Sequence, residues 1–141
     1  MNLALQKLTS LLTKDGKREK AKRLVHNALV RLHKAHAGAH VFETAVHNVT
    51  PLFELKKVRL AGTTQLVPSL VRAERGTHIA LRWIVLSART YKRKKKLAPF
   101  DAHLAQALVD ASLKTGEAHA RRQEVHKLAE ANRAFAHYRW W

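Results

Sequence analysis

Residues 52 to 72 have the wrong period for the rest of the chain. "LFELKKVRL", "AGTT" and "QLVPSLVR" read as two β-prone runs around a Gly-containing turn, a hairpin at about 52–68 with four to six residues per arm. A lone two-stranded ribbon is marginally stable in water, so this one has to lean on helices or on a partner. On both sides the apolar residues recur at helical spacing. Leu3 to Leu12 forms a short leading helix, and "KDG" at 14–16 is a turn signal. From Arg18 to His36, Ala21, Leu24, Val25, Ala28, Leu29 and Leu32 share one helix face, with Lys20 and Arg23 on its basic back. "AHAGAH" at 35–40 breaks that helix, and a second one with Val41, Phe42, Ala45 and Val46 runs to the Thr50-Pro51 stop. After Pro68 a helix from about Ala73 to Tyr91 buries Ala80, Leu81, Ile84, Val85 and Ala88, and "KRKKK" at 92–96 follows as a basic loop. A further helix with Leu104 and Leu108 is expected to stop at a Gly116 cap. The last begins near Glu117, with Val125, Leu128, Ala129, Phe135 and Ala136 on one side. At 141 residues the chain is a single domain, mainly α: a bundle of about five to six helices with one protruding β-hairpin.

Charge says what such a projection is for. The chain carries 27 Lys plus Arg against 10 Asp plus Glu, a formal +17. Self-repulsion on that scale points to a polyanionic neighbour. Residues 56–96 hold twelve basic side chains and one acidic, whereas 39–55 hold no Lys or Arg. Arg75, Arg82, Arg89 and Arg93 recur opposite the apolar face of their helix, with almost nothing nearby to pair with, so phosphates are the missing counter-charge. The expected RNA contacts are Lys20 and Arg23 on the early helix, Lys56, Lys57 and Arg59 on the hairpin, and Arg72 with the arginine stripe. Lys94 and Lys95 in the basic loop and Arg121 and Arg122 on the last helix complete the set. Alternation sends Lys57 and Arg59 to one hairpin face and Lys56 to the other.

Four of the nine aromatic residues, Phe135, Tyr138, Trp140 and Trp141, fall in the last seven positions. A terminus is ordinarily small and polar, so His137, Tyr138, Arg139, Trp140 and Trp141 are expected to dock on RNA or on a protein.

Enzymatic chemistry finds no footing. No residue is a candidate catalytic group: Ser10, Ser69, Ser87 and Ser112 lack a nucleophile elbow or a local base, and neither a phosphate-binding GxxxxGK[ST] loop nor HExxH is present. His33, His36 and His40 lie at i, i+3 and i+7, but Gly38 interrupts the helix and no carboxylate or thiolate completes a zinc site, so they read as surface residues. No metal and no cofactor is expected. Cysteine is absent, which fits a reducing interior, and no apolar run approaches the ~20 residues of a membrane span. "MNLALQKLTSLLTKDGK" has neither a signal peptide's apolar core nor the Arg- and Ser-rich character of a presequence. A DNA-binding architectural protein is the alternative reading, but such a hairpin would carry an apolar wedge at its tip, and "AGTT" has none.

Four collinear stretches resemble small-subunit ribosomal protein seven of the bacterial and organellar type. They are "DGK" at 15–17, "NVTPLFELKKVRLAG" at 48–62 followed by Val67 and Pro68, "ALRWIVLSAR" at 80–89, and "HKLAEANRAFAHYRW" at 126–140. The likeness runs from about Leu3 to Trp140. It departs at Ala61, where the family has the first of two glycines, at Gln65 and Leu66, and over 120–124. The basic arm that usually precedes the first helix has no counterpart here. The resemblance implies a helical bundle with a hairpin that binds the 3′ major domain of small-subunit rRNA and organises the head. It further implies a place near the exit-site tRNA and the mRNA path, beside neighbouring head proteins and ribosomal protein eleven, with no membrane contact. The double-Trp ending looks like mitochondrial members, so a mitochondrial ribosome is expected, with a bacterial cytoplasm or plastid as the alternative.

Overall fold

A computed structural model describes residues 3–35 and 40–141. Of the break expected at 35–40, residues 36–39, His36 among them, lie outside the described residues. In chain order the elements are α1 (Leu3–Leu12), α2 (Arg18–Ala35), α3 (Val41–Val49), β1 (Phe53–Leu60), β2 (Thr63–Leu70), α4 (Ala73–Lys94), α5 (Phe100–Ser112), α6 (Gly116–Ala131) and a 3-10 helix (Arg133–Tyr138). The architecture is mainly α with one antiparallel hairpin, as the periodicity predicts.

The middle of the core is α5, which packs against α2, α3, α4 and α6. Apart from Asp101 and Asp110 it carries no Asp, Glu, Lys or Arg, and it is apolar nearly all round, as a helix surrounded by others must be. Its polar groups are satisfied by its neighbours. The buried Asp101 carboxylate accepts from Arg31 Nε of α2 at 2.7 Å. Asn48 Nδ2 of α3 donates to the carbonyls of Ala111 and Ser112 at 3.2 and 2.8 Å, closing the exposed end of the α5 ladder. No described helix is long and apolar enough to cross a membrane.

Four sequence expectations need correction. First, α5 does not run to a Gly116 cap. Lys114 takes the left-handed conformation (φ 57°), and Thr115 N–H donates to Asp110 O at 2.8 Å, the closure of a Schellman cap. Gly116 (φ 79°) instead opens α6, where an added Cβ would stand 2.9 Å from Asp110 Cβ. Second, α4 reaches Lys94, absorbing three of the five residues of the run expected as a loop. Cations are favoured at a helix C-terminus, and Lys95 N–H still reaches Tyr91 O at 2.8 Å.

Third, the hairpin arms are eight residues each, not four to six. Thr63 and Thr64 are strand residues paired with Leu60 and Arg59, so the turn is Ala61-Gly62 alone. Both have positive φ, 46° and 83°, the type I′ geometry that matches strand twist. Ala61 keeps this backbone where the resemblance expects glycine. Pro68 faces Leu55, and counting pairs from the turn puts it at a position whose missing N–H points away from β1. Fourth, the last helix ends at Ala131 rather than carrying Phe135 and Ala136. Both the backbone and side-chain nitrogens of Asn132 donate to Leu128 O, at 3.0 and 2.7 Å, and the chain tightens into the 3-10 turn. Leu128, expected on the packed side, is 41% exposed.

The hairpin does lean on helices. Arg122 Nε of α6 donates to Thr50 O at 3.2 Å, and Leu52 N–H donates to His126 Nε2 at 3.1 Å. Phe53 meets the His126 ring edge-on, centroids 5.9 Å apart. The 3-10 helix packs along β2. Val58 and Val67 are buried although neither belongs to the core of the helical bundle.

Candidate nucleic-acid interface

Helical geometry turns α4 into a ruler. Its buried residues, Gly76, Ala80, Leu81, Ile84, Val85, Ser87 and Ala88, share one side. Arg75, Arg82 and Arg89 recur every seven residues on the other, drifting ~20° per step, and Arg93 returns to the line. All four are exposed and span roughly 27 Å of helix axis.

At the C-terminal end of that line the cations converge. Arg89, Lys92, Arg93 and Lys96 join Phe100 of α5 and Arg121 of α6 around a groove of about 790 Å³, with Leu86 and Thr90 also in its wall. No carboxylate lines it. Arg121 reaches Glu117 Oε1 at 2.6 Å, whereas Arg89, Lys92, Arg93 and Lys96 make no ion pair among the described residues. Lys92 and Lys96 were not singled out in the sequence. The signal was in "KRKKK", but only the continuation of α4 through Lys94 tells which of those cations turn to this side.

Lys94 and Lys95 go elsewhere, to a cleft with Tyr91, His103, Gln106 and Asp110. There Tyr91 Oη donates to Asp110 Oδ2 at 2.6 Å and Gln106 Nε2 donates to Oδ1 at 2.8 Å. Burial, then the bonded carboxylate, pushes the Tyr91 phenol up to about 12. The buried His103 ring donates to Lys95 O at 3.0 Å and so pins the loop that follows α4.

The hairpin end differs. Arg75 Nε lies 2.7 Å from Glu54 Oε2, and Lys56 Nζ lies 3.9 Å from Glu54 Oε1. The expectation that the arginine stripe finds almost no internal counter-charge therefore fails at Arg75, because Glu54 stands just before the basic block begins. Lys57 and Arg59 are exposed on one face of the ribbon and Lys56 lies on the other, as alternation requires. Arg72 is the exposed N-cap residue of α4. Lys20 and Arg23 are exposed on α2, which packs on α1 and α5, so they belong to a separate surface. Arg122 is half-buried and turned to Thr50.

In the tail, Trp141 stands over Lys56, with Nζ 4.7 Å from the ring centroid, so this aromatic meets a hairpin cation of its own chain. Trp140 packs edge-on to Trp141 at 5.5 Å and is 81% exposed. Tyr138 is flanked by Phe135 at 5.9 Å and His137 at 4.1 Å, and Arg139 Nε donates to Trp141 O at 3.2 Å. His33 and His40 are exposed, and no group of three metal-ligating side chains occurs among the described residues.

The sequence that builds this arginine ruler, cationic groove and hairpin is similar to those of known proteins. The family profile for ribosomal protein S7p/S5e covers residues 2–133. Small ribosomal subunit protein uS7 of Synechococcus sp. is 47% identical over 127 residues, 89% of this chain and 79% of that protein. The uS7 of Lactobacillus delbrueckii is 43% identical over 136 residues, covering 95% and 85%. Small ribosomal subunit protein uS7m of Marchantia polymorpha is 39% identical over 137 residues, and the chain spans 97% of itself but only 60% of that relative's length. The chain belongs to the ribosomal protein S7p/S5e family, whose members are structural components of the small ribosomal subunit and not enzymes.

Proposed function

We propose that this chain is an rRNA-binding organiser of the small-subunit head. It grips the 3′ major domain of the small-subunit rRNA and lies beside ribosomal protein eleven, with the exit-site tRNA and the mRNA path nearby. The observation that carries the reading is the groove in which Arg89, Lys92, Arg93 and Lys96 converge with no carboxylate among them. Cations held this close repel one another, and an RNA backbone folded into the groove relieves that repulsion while releasing counterions. Recognition then rests on the shape of folded RNA and its 2′-hydroxyls rather than on base-edge reading in a duplex. Lys57 and Arg59 on one hairpin face and Lys56 on the other engage phosphates on both sides of the ribbon.

The double-Trp ending favours a mitochondrial ribosome, with a bacterial cytoplasm or plastid as the alternative. The test is binding of the full chain to a transcript of the 3′ major domain against an equally long transcript of another domain, at moderate salt. The domain transcript should be bound at least about tenfold more tightly, in keeping with specific over non-specific binding by basic proteins. Equal affinity for both would remove the assignment to that domain.

A further inference from the structure

Where the hairpin base meets α6 and the 3-10 helix there is a further concavity of about 510 Å³, within the ~300–1,000 Å³ usual for small-ligand sites. Phe53, Pro68 and Leu70 give it an apolar wall, and Ala129 and Ala136 keep the opposite side low. Leu70 is 68% exposed and Phe53 37%, so the wall is open to an incoming group. His126 stands edge-on to Phe53. Its Nε2 already accepts from Leu52 N–H, which leaves Nδ1 as the remaining polar atom and, in the neutral ring, a donor. Arg133 and Arg139 also line the slot, with Glu130 as its single carboxylate. Neither Arg133 nor Glu130 makes an ion pair among the described residues.

We propose that this slot receives one unpaired nucleobase of RNA, stacked on the Phe53, Pro68 and Leu70 wall, with Arg133 and Arg139 holding the flanking phosphates. The inference rests on the reading that the chain binds RNA and adds to the cationic groove a place where a base itself is held. Two guanidiniums beside an apolar wall suit a ligand that is flat and apolar in the middle and anionic on both sides. That describes a nucleotide in a strand better than an apolar peptide. Glu130 and His126 Nδ1 supply an acceptor and a donor for the edge of the base, and burial together with Arg122 lowers the His126 pKa, which keeps the ring neutral.

Binding of the full chain to an adenosine octamer is compared with binding to the same ribose-phosphate octamer lacking bases, in the native protein and in Leu70→Asp. Leu70 is exposed enough for the change to leave the fold intact, which a thermal melt checks; Leu70→Ser serves if it does not. The native chain should prefer the base-bearing strand by on the order of tenfold, the effect of stacking one base, and Leu70→Asp should lose most of that preference. A preference that Leu70→Asp leaves untouched would overturn the slot and move the stacking to a site such as Trp140. Strands bound equally, with steep salt dependence, would also overturn it while leaving RNA binding standing. No binding of either strand, or of the 3′ major domain transcript, would remove both readings. In assembled subunits, a photoreactive benzoylphenylalanine in place of Leu70 should crosslink to RNA, and crosslinks to protein alone would assign the slot to a protein neighbour instead.

Discussion

At the first turn of α4 the Arg75 guanidinium meets a hairpin carboxylate 2.7 Å away, whereas at the last turns Arg89 and Arg93 share a groove with Lys92 and Lys96 and no carboxylate. The hairpin end carries a set of polar and cation-π ties: Arg75 to Glu54, Arg122 to Thr50, Leu52 to His126, and Trp141 over Lys56. The C-terminal end of α4 is shaped by packing, by the turn from α5 into α6 and, in the neighbouring cleft, by the Tyr91-Asp110 bond. Identical residue types on one helix thus serve two ends. Arg75, which has an internal partner, ties the ribbon to α4; Arg89 and Arg93, which make no ion pair among the described residues, leave their charge uncompensated within the chain.

The largest expected effect falls on the packed end. Gly116→Ala forces a side chain onto a φ of 79° and places its Cβ 2.9 Å from Asp110 Cβ and 3.2 Å from Tyr91 Oη. Left-handed strain and overpacking together should cost about 2–4 kcal/mol. Urea unfolding would measure this. A change under ~1 kcal/mol would show that the groove end is as adjustable as the ribbon.

A smaller effect, of opposite origin, is expected at the hairpin end. Burial first, and Arg122 second, hold the His126 pKa below its ordinary value, so the folded state favours the neutral ring that accepts from Leu52 N–H. An unfolded histidine takes up its proton near ~6.5. The unfolded state therefore binds more protons between that value and the lowered folded one. The contribution is complete above about pH 6.5 and is lost as pH falls through the folded pKa. His119, lowered by burial and by Arg122 and Lys114, adds to the same trend. Unfolding free energy should fall on acidification from pH 7 to 5, and less steeply in His126→Gln. Equal slopes in the two proteins would detach His126 from the hairpin's anchorage.

How far these features could be read beforehand depended on their range. The faces of α2 and α4 and the stop at Pro51 come from local spacing and backbone chemistry, and the structure reproduces them. The two-residue turn was hidden because Ala61 is not a residue that ordinarily takes positive φ, so the threonines after Gly62 looked like loop. The α5 cap was hidden because Lys114 takes the glycine's role two residues early. Arg75's partner and the meeting of Lys92, Lys96 and Arg121 are long-range facts: nothing in the local sequence says that α6 returns beside the end of α4.

The central claim is that cations without internal partners carry most of the RNA affinity. Its most direct measurement is the slope of log K against log[salt] for the 3′ major domain transcript, in the native chain, in Arg89→Ala/Arg93→Ala and in Arg75→Ala. Losing two phosphate contacts should lower the slope by about 1.4 to 1.8 in the groove variant. Arg75→Ala should change it less than half as much and cost about 0.5–1 kcal/mol of stability, as expected for an exposed pair. A groove variant with the native slope, or an Arg75 variant that loses as much as the groove pair, would contradict the account.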